Sequence, residues 1–118
     1  MDTRDILDAL NVYVYAKDAN GNYTYANRAV CELFGAPLES IVGKDDSQFF
    51  DLEQSNELRA NDEQVMSSGV TLEIEEHDVV KETGEDRYYW TIKAPLRDAS
   101  GAVVGTCGIS LDITGSKG

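Results

Sequence analysis

Residues 12–35 read VYVYAKDANGNYTYANRAVCELFG. Residues 12–16 are β-branched and aromatic, which predicts a strand. Asp18-Ala-Asn-Gly21 follows as a turn, because Asn-Gly supplies the positive φ angles a hairpin needs. Residues 23–26, Tyr-Thr-Tyr-Ala, form the returning strand. Asn27 then starts a helix, since its amide oxygen can accept a bond from an orphan N–H of the first turn. Ala29, Val30, Leu33 and Phe34 give that helix an apolar face, and Gly35 is its stop.

Working outward, residues 3–10 carry Ile6, Leu7 and Leu10 at helical spacing and predict a short amphipathic helix. Met1 directly precedes it, so the chain is expected to be excised from a longer one. Residues 37–41 predict a second short helix with Pro37 in its first turn, closed by Gly43. Residues 51–68 predict a longer helix of loose periodicity, anchored by Leu52, Leu58, Val65 and Met66 and ended by Gly69. Three strands follow, at 70–80, 87–96 and 102–113, with turns at 82–84 and 98–101. Strands and helices in separate runs predict an α+β fold with an antiparallel sheet.

The chain has 118 residues, the size of one domain. Its 22 acidic and 10 basic residues give a net charge of −12, a field that repels nucleic acid and anionic lipid. No apolar window is long enough to span a membrane, and no signal peptide is visible. Cys31 and Cys107 lie in apolar surroundings and read as buried free thiols in a reducing, cytoplasmic compartment.

Four stretches then carry a resemblance. VYAKDANGNYTYAN (14–27), LFG (33–35) with IVGK (41–44), KAPLRD (93–98) with Gly101, and GISLDIT (108–114) occur in this order. Together they resemble the PAS domain, the sensory box of bacterial signalling proteins, from Ile6 to Thr114. The resemblance implies a five-stranded antiparallel sheet in the order 2-1-5-4-3. Helices would cover one face, and the N-terminal helix the other. It divides the chain into a flanking helix (1–10), the sensor domain (11–114) and a disordered tail or cloning remnant (115–118). It also implies a pocket between sheet and helices, and an effector such as a diguanylate cyclase or histidine kinase fused beyond the domain. The closing strand is closer in style to cyclase parents.

Cofactor types are narrowed by single residues. The flavin-thiol branch of the family needs a cysteine where this chain has Asp46, and Cys31 lies on a different helix. The haem branch needs a histidine on the long helix, which has none. His77, the sole histidine, stands among Glu75, Glu76 and Asp78 and reads as a solvated surface residue. Neighbouring strand residues point to opposite faces, so no metal site is expected there. Non-covalent flavin stays open but unmarked.

By resemblance the pocket is lined by Tyr15, Lys17, Leu58, Val65, Tyr89, Thr91, Lys93, Gly108 and Ser110. A buried lysine needs a counter-charge. Two alternatives follow: a small anionic ligand held by Lys93 and Lys17, or an internal ion pair with a protein carboxylate such as Glu73 or Asp112. Asp112 and Thr114 match the family's exit signature, where the chain leaves for the effector. Trp90, Ile92, Ile109 and Leu111 fall on the opposite sheet face, too apolar to leave in water. The helix bearing Ile6, Leu7 and Leu10 is expected to cover them, alone or with a second subunit in a homodimer.

No Ser–His–Asp, Cys–His, phosphate-loop, kinase or Gly-Gly-Asp-Glu-Phe pattern is present, so no catalytic residue is assigned. The expected function is a signal-sensing module. The competing reading is a ligand-free dimerisation adaptor with a filled core.

Overall fold

The computed structural model describes residues 2–79 and 83–117. Strand β1 (Tyr13–Asp18) and strand β2 (Tyr23–Ala26) form the opening hairpin. The Asp18 carboxylate shapes its turn by accepting the Asn20 and Asn22 amide N–H groups at 2.9 and 3.0 Å. Gly21 supplies the positive φ of 86° that the turn requires. β1 runs two residues past the predicted 12–16 and carries a bulge at Ala16/Lys17.

Helix α1 is Thr3–Ala9 and helix α2 is Arg28–Phe34, the latter ended by Gly35 in the left-handed region. Asn27 caps α2 and spends all its bonding capacity. Its Oδ1 accepts the Val14 and Val30 amides at 3.1 and 3.3 Å. Its Nδ2 donates to the Leu7 and Val12 carbonyls at 3.0 and 2.9 Å. One buried side chain thus fastens α1, β1 and α2 together. Helix α3 (Leu38–Ile41) has Pro37 as its cap rather than inside its first turn.

A short 3₁₀ turn at Asp46–Gln48, not expected from the sequence, precedes helix α4 (Leu52–Ser68). The inward stripe of α4 is Ser55, Leu58, Asp62 and Val65. Leu52, expected as an anchor, is 72 % exposed. At 3.6 residues per turn it stands about 100° round the helix from the stripe's centre. Met66 is half-buried beside the stripe.

Strands β3 (Leu72–Val79), β4 (Asp86–Arg97) and β5 (Val103–Asp112) complete an antiparallel sheet in the order β2-β1-β5-β4-β3, as the resemblance implied. Val80, at the predicted end of β3, and Glu82, in the predicted turn, lie outside the described residues. Residues Thr114–Lys117 form one helical turn, α5, which takes in 115–117 of the segment expected as a disordered tail or cloning remnant; Gly118 lies outside the described residues.

The expected cover of the outer face is corrected. α1 packs against α2, held by Asn27 and by the Asp8 carboxylate, which accepts the Arg28 amide at 2.8 Å. These bonds keep α1 beside the helical layer. Trp90, Ile109 and Leu111 are therefore left exposed, and Ile92 half-buried, on the outer face. Ile6 and Leu10 are exposed as well, with Leu7 half-buried. Cys31 and Cys107 are free but half-buried, not fully buried; Cys107 stands on the outer face of β5.

The inner face meets the helices in two unlike halves. Beneath α2 and α3, the Phe34 ring stacks on Phe49 at 4.1 Å and meets Tyr23 and Phe50 edge-on. Beneath α4 the interior is polar.

Asn27→Ala removes four bonds from a fully buried site. Stability should fall by at least ~2 kcal/mol in urea unfolding. A loss within about 0.5 kcal/mol, the range of neutral surface substitutions, would remove Asn27 from its place at the centre of this junction.

Candidate functional site

The sheet register decides which side chains meet inside. β4 and β5 pair Lys93 with Gly108, Thr91 with Ser110 and Tyr89 with Asp112. β1 and β5 pair Tyr15 with Gly108 and Lys17 with Thr106. Strand alternation then points Tyr15, Lys17, Tyr89, Thr91, Lys93 and Ser110 to the helix side. Gly108 is needed for this arrangement. A Cβ there would lie 3.1 Å from the Tyr15 ring and 2.8 Å from the Ile92 carbonyl. The Tyr15 hydroxyl instead lies over the sheet, 2.8 Å from Ser110 Oγ, which is 2.9 Å from Thr91 Oγ1.

Both lysines are withdrawn from water, Lys17 to 2 % exposure and Lys93 to 1 %. Lys17 Nζ donates to Asp46 Oδ2 at 2.5 Å and to Asp62 Oδ2 at 2.9 Å. Lys93 Nζ lies 3.1 Å from Glu76 Oε2 and 3.3 Å from Asp62 Oδ1. Neither of these Lys93 contacts is aligned as a hydrogen bond. The Tyr23 hydroxyl donates to Asp46 Oδ1 at 2.5 Å, and Asn61 Nδ2 donates to Glu76 Oε2 at 3.3 Å.

Burial pulls the Lys17 ammonium toward neutrality, but Asp46 and Asp62 outweigh it and hold its pKa above the ordinary value. Lys93 behaves alike, with Glu76 and Asp62 as the opposing charges. Burial raises the Asp62 pKa, and the two lysines more than reverse it, so Asp62 titrates below the ordinary carboxylate value. The Tyr15 and Tyr23 hydroxyls are pushed up, mainly by burial and then by nearby carboxylates.

This geometry decides between the two readings of the lysines. Their partners are internal carboxylates. Those partners are Asp46, Asp62 and Glu76, not Glu73 or Asp112. Glu73 instead accepts the Trp90 indole N–H at 3.0 Å, and Asp112 pairs with Arg87 at 2.8 Å. The lysines are already neutralised, so the geometry speaks against an anion as ligand.

A cavity of about 40 Å³ lies beside the cluster. Tyr15, Lys17, Leu58, Tyr89, Lys93 and Ser110 line it. Val65 and Thr91 are fully buried nearby but do not reach its wall, and neither does Gly108. The wall also holds Tyr13, Tyr23, Val30 and Leu33, none of which was foreseen. Phe34 and Phe50 complete its apolar side, and Asp46 and Glu76 its acidic side. Glu76 could have been found, since it alternates in phase with Leu72 and Ile74 along β3. Asp62 likewise falls on the Leu58–Val65 stripe of α4. Asp46 carries no such signal, because it sits on an irregular turn.

A wider cleft of about 490 Å³ adjoins the cavity, with Tyr13 and Leu33 common to both walls. The Tyr13 ring meets Tyr89 edge-on at 5.6 Å. Arg87 and Asp112 line the cleft. Asp112 accepts an Arg87 N–H at 2.8 Å and the Thr114 amide at 2.8 Å. Thr114 Oγ1 accepts the Tyr88 amide at 2.9 Å, which fixes the start of α5 to β4. Burial raises the Asp112 pKa, but Thr114 and Arg87 bring it below the ordinary value. His77 is exposed, 2.9 Å from Asp86 and stacked on Tyr88.

Known proteins are similar to this chain in sequence and fold. A diguanylate cyclase of Vibrio cholerae is 37 % identical over 110 residues, covering 92 % of this chain and 34 % of the relative. The methanogenesis regulatory histidine kinase FilI of Methanothrix harundinacea is 31 % identical over 97 % of this chain and 13 % of its own length. The chain thus spans about a third or less of these relatives. Among solved structures, VqmA bound to DPO superposes with a TM-score of 0.82 at 25 % identity, over 93 % of this chain and 56 % of that one. A PAS domain from Colwellia psychrerythraea superposes at 0.78 with 17 % identity, over 94 % and 93 % of the two chains, which concerns the fold alone.

The pH dependence follows from the cluster. Asp62, with its pKa lowered from 3.8, stabilises the fold fully above pH 3.8 and loses that contribution as pH falls through its folded value. Lys17 and Lys93, raised from 10.5, stabilise fully below pH 10.5 and lose that contribution as pH rises through theirs. Asp62→Asn should therefore be less stable at neutral pH, and its deficit should shrink below pH 3.8. A pH-independent deficit in urea melts would contradict an ionised Asp62. Lys17→Met, which takes from two buried carboxylates the ammonium they share, should cost ~3–5 kcal/mol.

The PAS-fold profile matches residues 7–118, nearly the whole chain, and the chain belongs to the PAS-fold family, whose members are sensory modules of multidomain signalling proteins.

Proposed function

We propose that this chain is the cytoplasmic sensing module of a signalling protein. It binds a small molecule between sheet and helices and passes the change to an effector beyond Thr114. The observation that carries this reading is the cavity beside Lys93. Its 40 Å³ exceeds what one water needs and is well below the ~150 Å³ of a benzene-binding cavity. Its wall presents ionised groups on one side and aromatic rings on the other. A ligand of a few heavy atoms fits this space; a flavin does not, and haem-type ligation lacks a histidine on α4.

The relay runs through Tyr13. Its ring lines the cavity and packs on Tyr89, and the Arg87 guanidinium opposes the burial that raises the Tyr13 hydroxyl's pKa. Arg87 pairs with Asp112, which caps Thr114 at the exit. A ligand that displaces Tyr13 thereby acts on the segment leading to the effector. The diguanylate cyclase relative favours a cyclase as that effector, with a histidine kinase second. Catalysis belongs to that effector and not to this module.

The exposed outer face, with Trp90, Ile109 and Leu111, supports a homodimer. VqmA is described as a dimer and in complex with DNA. This chain matches about half of VqmA's length, and its charge of −12 keeps the present module off nucleic acid and membrane surfaces. The small cavity also gives the adaptor reading its one supporting observation.

One experiment separates sensor from adaptor. The protein is purified without denaturation and extracted, and the released small molecules are analysed by mass spectrometry. A stoichiometric organic molecule, absent from Lys93→Met, is expected. A protein that carries none and does not respond to metabolite extracts in thermal melts is an adaptor.

A further inference from the structure

The buried cluster is unbalanced. Two ammonium groups, Lys17 and Lys93, face three carboxylates, Asp46, Asp62 and Glu76, all of them within the buried class. Lys17 is satisfied by two aligned bonds. Asp46 is satisfied at both oxygens, by Lys17 and Tyr23. The deficit lies on the other side. Lys93 Nζ and Asp62 Oδ1 are both fully buried and both without an aligned hydrogen bond. Lys93 Nζ and Glu76 Oε2 stand 3.1 Å apart, Glu76 Oε2 also accepts from Asn61 Nδ2 at 3.3 Å, and both Lys93 and Glu76 line the cavity.

Such a pair offers a donor and an acceptor side by side to whatever enters. Its complement is a molecule with an acceptor beside a donor, which is the edge of a primary amide or a lactam. A ligand that only accepts leaves Glu76 facing a lone pair. A ligand that only donates gives Lys93 Nζ no acceptor beyond its ion-pair partners Glu76 and Asp62, neither of which is aligned as a hydrogen bond. An anion would bring a further negative charge into a buried site that already has an excess of one, a costly arrangement away from water. The wall opposite, with Leu58, Phe50 and Val30, suits an apolar body.

We propose that the cavity takes an uncharged molecule with an amide-type edge, its oxygen accepting from Lys93 and its N–H donating to Glu76, and that it rejects carboxylates. This rests on the sensor reading above and names the ligand class for the same site.

Three isosteric probes test it: acetamide, acetate and acetamidinium, which share size and shape and differ in charge and donor pattern. Each is titrated into the ¹⁵N-labelled chain while the amide resonances of Glu76, Lys93 and Gly108 are followed. Acetamide is expected to shift these signals saturably, and acetate and acetamidinium to leave them at the level of a salt control. Glu76→Gln, a conservative change that removes the excess charge, should admit acetate. Lys93→Met should abolish the acetamide response. Acetate binding the wild-type chain as well as acetamide, or acetamidinium binding in preference to it, overturns the ligand class and leaves the sensor reading standing. No saturable shift from any of the three overturns the ligand class and the small-molecule pocket together.

Discussion

Five charged side chains closed away from water set the terms for the rest of this fold. Lys17 comes from β1, Lys93 from β4, Glu76 from β3, Asp62 from α4 and Asp46 from the turn before it. Each is costly to bury alone and tolerable only with its partners in place. The cluster therefore does more than neutralise charge. It requires the helical layer and three strands of the sheet to meet in one arrangement, because a slip of one residue on any strand would turn its charge to the opposite face. Replacing such a network with apolar residues can leave a protein as stable or more so.

The two halves of the interior divide the work accordingly. Under α2 and α3, stacked and edge-on rings of Tyr23, Phe34, Phe49 and Phe50 make an apolar core. Under α4, Ser55 and Asp62 share the inward stripe with Leu58 and Val65. The cavity lies where the two halves join, so an occupant meets rings on one side and charges on the other. Tyr13 stands at the same junction and reaches, through Arg87, toward the Asp112–Thr114 cap.

Much of this was legible in the residues, for physical reasons. The hairpin turn and the Asn27 cap are local devices, each set by a few neighbouring atoms, and they stand where the sequence put them. Strand alternation grouped the residues of each strand by face, and the family resemblance marked the face of Lys17, Lys93 and Ser110 as the inner one. The need of a buried lysine for a carboxylate was also legible, but the identity of that carboxylate was not. Asp62 escapes apolar periodicity, which ignores an aspartate on the inward stripe. The resemblance marks Asp46 as the residue in place of the flavin-thiol cysteine, but a 3₁₀ turn has no period to show that it meets Lys17. The position of α1 was hidden for a different reason. Its apolar residues match the exposed sheet face, yet its docking is fixed by hydrogen bonds of Asn27 and Asp8 to distant backbone. Hydropathy carries no trace of those bonds.

The central question is whether the lysine–carboxylate cluster borders an occupied cavity. A high-resolution crystal structure of the chain, purified without added ligand, measures this directly. Lys17 between Asp46 and Asp62, Lys93 beside Glu76, and non-water density within reach of Lys93 Nζ are the expected result. Lysines turned out to solvent, or a cavity closed by its own side chains, would contradict it.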